Sequence, residues 1–117
     1  MVADARVTYL DLQSHCFYDV ASLNIGRYDH TSAVLEGKVY VFAGWTDTDW
    51  LSTRKFSIEV YSDSKWNIIK PPQQVQIRAL GVICPVSPTC IQILGGNSFK
   101  RPLETCLTFN PYTSDLS

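Results

Sequence analysis

The sequence predicts an all-β fold assembled from repeated four-stranded units. Three observations predict it: short β-branched and aromatic runs broken at close intervals by Gly, Pro, Asp and Ser, an almost complete lack of helical periodicity, and a self-similarity at an offset of about fifty residues. Residues 30–35 (HTSAVL), 38–43 (KVYVFA), 55–61 (KFSIEVY) and 65–69 (KWNII) read as four consecutive strands. Glu36-Gly37 supplies a two-residue hairpin turn between the first two, and Ser62-Asp63-Ser64 turns the third into the fourth.

The second half repeats this pattern. Arg27 recurs as Arg78, 51 residues later, and at an offset of 52 the positions Val39, Val41, Phe42 and Gly44 fall on Ile91, Ile93, Leu94 and Gly96. Tyr61 matches Phe109 at 48, while Leu10 precedes Tyr61 by 51 and Phe17 precedes Trp66 by 49, so the first twenty residues echo a third and fourth strand. A period of this length suits a propeller blade, because one small twisted sheet buries both faces only by stacking on its neighbours. The near-continuous apolar run 38–43 fits a strand covered on both sides.

The arrangement of these residues resembles the kelch repeat family: an Arg before the first strand, a hydrophobic strand ending in a glycine pair, and an aromatic several residues before a Trp. Here those are Arg27, Ala43-Gly44, Tyr61 and Trp66, followed in the next repeat by Arg78, Gly95-Gly96 and Phe109. The run LNIGRYDHTSAVLEGKVYVFAG, residues 23–44, carries the resemblance best. Ala43 departs from it by replacing the first glycine of the pair. The resemblance implies an incomplete kelch-type β-propeller with blades of four antiparallel strands. Residues 1–24 are then the outer strands of a preceding blade, 25–70 a complete repeat, and 71–117 a following repeat lacking its last strand. Gly44 and Gly96 end strands where the chain leaves the sheet. Tyr61 and Trp66 are expected to pack between blades with their polar atoms on backbone acceptors. The resemblance suggests a structural hydrogen-bonding role for Arg27 and Arg78.

Composition bounds the function. The 117 residues are 45% hydrophobic, enough for one modest core, and the formal net charge of -1 lacks the basic footprint of a nucleic-acid or polybasic membrane-surface binder. No apolar stretch reaches roughly 18 residues, and Met1 to Asp11 carries two aspartates without a signal-peptide pattern, so a cytoplasmic, in one setting cytoskeleton-associated, protein is expected. Cys16, Cys84, Cys90 and Cys106 show no C-x-x-C spacing and read as buried reduced thiols, although Cys84 and Cys90 flank a turn and could face each other.

Catalytic chemistry is not predicted. His15 and His30 fall in different repeats without Cys, Asp or Glu at ligand spacing, Glu36, Glu59 and Glu104 are isolated, and nucleophile-elbow, P-loop and dinucleotide motifs are lacking. The expectation is no enzyme, no cofactor, no metal and no catalytic residue. Candidate partner-binding residues sit in loops instead. Residues 45–54 (WTDTDWLSTR) hold two of the three tryptophans, with Trp45, Trp50 and Arg54 as interface anchors and Asp47 and Asp49 suited to a basic partner. Residues 97–102 occupy the equivalent loop of the next repeat and offer Phe99, Lys100 and Arg101. Residues 70–76 (KPPQQVQ) link the complete repeat to the next through a stiff Pro pair. The predicted function is a protein-binding or scaffold module, cytoskeletal or serving as a ubiquitin-ligase substrate adaptor. The alternative is a piece of a propeller oxidase whose catalytic residues lie on other blades. Because the chain starts and stops within a repeat, association with further blades or between copies is also expected.

Overall fold

The computed structural model describes residues 4–45, 57–70, 82–96 and 106–117. Among these residues there are nine strands and no helix: β1 (Val7–Asp11), β2 (Cys16–Val20), β3 (Thr31–Leu35), β4 (Lys38–Phe42), β5 (Ile58–Ser62), β6 (Lys65–Ile69), β7 (Val82–Ser87), β8 (Cys90–Leu94) and β9 (Cys106–Phe109). They form three antiparallel sheets in the orders β1-β2, β3-β4-β5-β6 and β7-β8-β9. The fold is all-β, built of kelch-like blades in an incomplete propeller.

Local chemistry sets the hairpins. Glu36 (φ 50) and Gly37 (φ 74) both adopt positive φ, the geometry that matches a two-residue turn to the twist of its strands. Asp63 (φ 55) and Ser64 (φ 64) repeat it between β5 and β6. Ser62 pairs with Lys65, so this turn has two residues rather than the three read from the sequence. Asp and Ser tolerate the left-handed region through local hydrogen bonding, and that tolerance closes the turn one residue sooner. Strand β5 begins at Ile58; positions 55 and 56 of the expected strand lie outside the described residues.

Strand β4 shows why the sheets stack. Its alternate side chains enter two different clusters. Tyr40 and Phe42 join Ile58, Ile91, Ile93, Leu107, Phe109 and Leu116 between the second and third sheets. Val41 joins Leu23 and Trp66 on the opposite face, with Ala5, Val7, Val39 and Tyr61 packed around them. Phe42 and Phe109 are fully buried and meet edge to face with centroids 5.6 Å apart. Burying each such side chain stabilises the fold by about 1.5–3 kcal/mol, with a further ~0.5–1.5 for the aromatic pair.

The cysteines depart from expectation. Cys16, Cys84 and Cys106 are exposed, Cys90 is half-buried, and all four are free. Cys84 stands opposite Gln92 and Cys106 opposite Leu94, on the face of the third sheet that no further sheet covers among the described residues. Cys90 pairs with Ser87, so Cys84 and Cys90 do not face each other.

The C-terminal residues add to the third sheet. Leu116 bridges Phe109, and Thr108 and Ser117 exchange backbone bonds of 2.8 and 3.0 Å. Leu116 is thereby buried at the edge of β9, where β6 stands relative to β5 in the second sheet.

Candidate functional site

The best-defined polar constellation surrounds the stem of the loop that leaves β4 and returns at β5. Ala43 and Ser57 close the stem with a 2.8 Å backbone bond, and Tyr28 and Trp45 exchange bonds of 3.1 and 2.8 Å. Arg27 is fully buried beneath it. Its Nη1 donates to Ala43 O (2.8 Å), Ser57 Oγ (3.0 Å) and Ser57 O (3.3 Å), so one guanidinium holds both sides of the stem. Its Nη2 donates to Glu59 Oε2 at 2.8 Å.

Glu59 sits on β5 opposite Val41, also with a fully buried side chain. Besides Arg27, its carboxylate accepts from Asn24 N (2.7 Å), Asn24 Nδ2 (3.0 Å) and Ile25 N (3.0 Å). A buried charge survives only when its oxygens are satisfied in this way. The constellation therefore ties three segments together: residues 24–27, the stem at 43 and 57, and β5. In the sequence Glu59 reads as an isolated acid. The available signal was its place between Ile58 and Val60 in a strand whose neighbours on both sides are apolar.

The backbone around this hub is held in positive φ. Ala43 (φ 56) and Gly44 (φ 83) have counterparts in Gly95 (φ 62) and Gly96 (φ 91). A Cβ on Gly44 would lie 2.7 Å from Tyr28 O and 2.9 Å from His30 Cβ, so glycine is required there by space as well as by φ. Ala43 keeps the conformation at a cost of about 1–2 kcal/mol. Tyr61 and Trp66 face each other across β5-β6 with centroids 5.1 Å apart, and Trp66 Nε1 donates to Ala21 O at 2.9 Å. Next to the hub, His30 is pushed below its ordinary value, first by burial and then by the Arg27 charge, with Asp29 opposing.

Of the loop residues read from the sequence, the structure places Trp45, half-buried at the stem. Asp47, Asp49, Trp50, Arg54, Arg78, Phe99, Lys100 and Arg101 lie outside the described residues. A cleft of about 760 Å³ opens between the first sheet and the face of β3 and β4, with Val7, Tyr9 and Leu23 on one wall and His30, Val39 and Val41 on the other. Among the described residues no three His, Cys, Asp or Glu side chains gather as a metal site would require.

Residues 26–73, spanning the Arg27 hub, the second sheet and Trp66, match the family described as the kelch motif. The chain carries a kelch repeat. Two relatives from Arabidopsis thaliana, both F-box/kelch-repeat proteins by name, are similar to it: one 32% identical over 73 residues, or 61% of this chain and 17% of the relative, the other 31% identical over 75 residues, or 62% and 18%. The chain thus spans less than a fifth of the length of either relative. The kelch repeat places the matched strands β3 to β6 in one blade, and the hub formed by Arg27 and Glu59 lies inside that blade.

Proposed function

We propose that this chain is a protein-interaction module in which the kelch blade presents the loop between β4 and β5 to a protein partner. The supporting observation is the stem: two backbone pairs and one buried guanidinium fix both ends of a loop rich in Trp and Asp. A preorganised base reduces the ordering cost of binding, and Trp and Arg are the residues most often found at interface hot spots. The F-box/kelch-repeat names of the relatives favour the finer reading that the partner is the substrate of a ubiquitin-ligase adaptor.

The test uses the full-length protein expressed in cells, carrying Trp50→Ala or Trp66→Ala. Trp50→Ala is expected to lose the captured partner and lower that partner's ubiquitylation while leaving the melting temperature unchanged. Trp66→Ala is expected to unfold the blade. Equal loss of stability in the two variants overturns the loop assignment, and a captured partner whose ubiquitylation is indifferent to Trp50 overturns the adaptor reading.

A further inference from the structure

The turn that follows β9 is larger than its counterpart in the second sheet, and it reaches across to that sheet. Phe109 pairs with Leu116 around residues 110–115, whereas Tyr61 pairs with Trp66 around residues 62–65 only. The enlarged turn carries its own scaffold. Asn110 Oδ1 accepts from Tyr112 N (2.9 Å) and Thr113 N (3.3 Å), Thr113 Oγ1 accepts from Asp115 N (3.3 Å), and Ser114 N donates to Asn110 O (2.8 Å). From this scaffold Tyr112 Oη donates to Glu36 Oε2 at 2.7 Å, in the turn between β3 and β4. The bond is charge-assisted and joins two sheets. It lies at the rim of the seam whose interior holds Tyr40, Phe42 and Phe109. A carboxylate only accepts, so the phenol serves Glu36 solely as a donor. The surroundings already oppose further negative charge: Tyr40 is held above its ordinary value first by burial and then by Glu36, and Tyr112 by its bond to Glu36. Tyr112 is nevertheless 64% exposed, so one oxygen is both structural and reachable.

We propose that Tyr112 is a phosphorylation site and that its bond to Glu36 is a strap, at the rim between the second and third sheets, which phosphorylation opens. In the reaction the phenol oxygen attacks the γ-phosphorus of ATP, the bond from that phosphorus to the departing ADP oxygen breaks, and the phenolic proton passes to the base of a tyrosine kinase. The product replaces one donor by phosphate oxygens carrying about −1.5 to −2 charges at neutral pH, directly opposite a carboxylate. Attraction becomes repulsion at the same atom. The seam joins two sheets of this chain, so the device needs no contribution from a further blade. It also stands apart from the loop that leaves β4. Glu36 precedes the Lys38 end of β4 and Asn110 follows the Phe109 end of β9, whereas the loop stem adjoins the Phe42 end of β4. The inference therefore goes beyond partner capture through that loop and does not rest on it.

The test places phosphotyrosine at position 112 of the 117-residue chain by genetic encoding and compares it with the unmodified chain in urea denaturation. The folding constant is expected to fall about tenfold on phosphorylation, a difference of ~1.4 kcal/mol. Tyr112→Phe, which loses the bond without gaining charge, should lower it only about threefold. In roughly 1 M salt, where screening acts within ~3 Å, the two should converge. Glu36→Arg supplies the decisive comparison, because a guanidinium there pairs with the phosphate. In that background phosphorylation is expected to raise the folding constant, a change of sign that general damage to the turn cannot produce. A tyrosine kinase of broad specificity, supplied with ATP, is expected to label Tyr112 in the folded chain. The proposal is overturned by an unchanged urea midpoint on phosphorylation, or by a loss of the same size with Glu36 and with Arg at position 36. It is also overturned if the kinase labels Tyr112 in a free peptide of residues 106–117 but spares it in the folded chain.

Discussion

Removing Glu59 and removing Arg27 should not cost the same, although they form one ion pair. With Glu59→Gln, Arg27 keeps neutral acceptors at Ala43 and Ser57 but loses the one carboxylate that pairs with it among the described residues, and a guanidinium has no route to neutrality. The uncompensated buried charge destabilises by about 3–5 kcal/mol. With Arg27→Met, Glu59 retains three N–H donors from Asn24 and Ile25, so the cost is smaller, about 2–3 kcal/mol. The double variant Arg27→Met with Glu59→Gln should cost less than the sum of the two single replacements by about 2 kcal/mol. A domain of this size has roughly 6–17 kcal/mol to lose, so each change is measurable in equilibrium urea denaturation. Two single variants within about 1 kcal/mol of wild type, or strict additivity, would refute the view that this pair ties the loop stem to the blade.

Three further outcomes follow from the geometry. Gly44→Ala drives a methyl into Tyr28 O at positive φ and should destabilise by at least about 2 kcal/mol, read as a fall in the urea midpoint without a change in slope. Trp66→Phe removes the bond to Ala21 O and should cost about 1–2 kcal/mol, whereas Trp66→Ala also empties the inter-sheet cluster and should cost ~3–5. Because the folded His30 binds its proton less readily than the unfolded chain, its contribution to stability is level well above pH 6.5. It then falls as the unfolded His30 protonates first on acidification. Unfolding measured from pH 8 to 5 should show this decline, and His30→Gln should remove it.

Much of the blade was legible in the residues. The turn at Glu36-Gly37, the strand pair around Tyr61 and Trp66, and the stacking implied by the run 38–43 are local or periodic signals, and the strands follow them. Two things were not legible. Glu59 reaches Asn24 and Arg27 from more than thirty residues away, and a single acid in a strand carries no mark of such distant partners. The exposure of Cys84 and Cys106 depends on which face of the third sheet is covered, a property of the stack and not of the strand. The candidate site divides in the same way: sequence composition pointed to the loop and the resemblance to a hydrogen-bonding role for Arg27, while the partners it holds at Ala43, Ser57 and Glu59 emerged only from the packing.

Strand β4 contributes to two cores at once, with Tyr40 and Phe42 on one side and Val41 on the other. To expose its amides, both neighbouring clusters must come apart, whereas β1 and β7 need lose only one. Heat or denaturant should therefore erode the molecule from its ends inward. The slowest-exchanging protons are expected at the centre of β4, next to the very loop stem that the interaction surface depends on. Recognition would then outlast the loss of the outer strands, because the last element to melt is also the one that presents the loop.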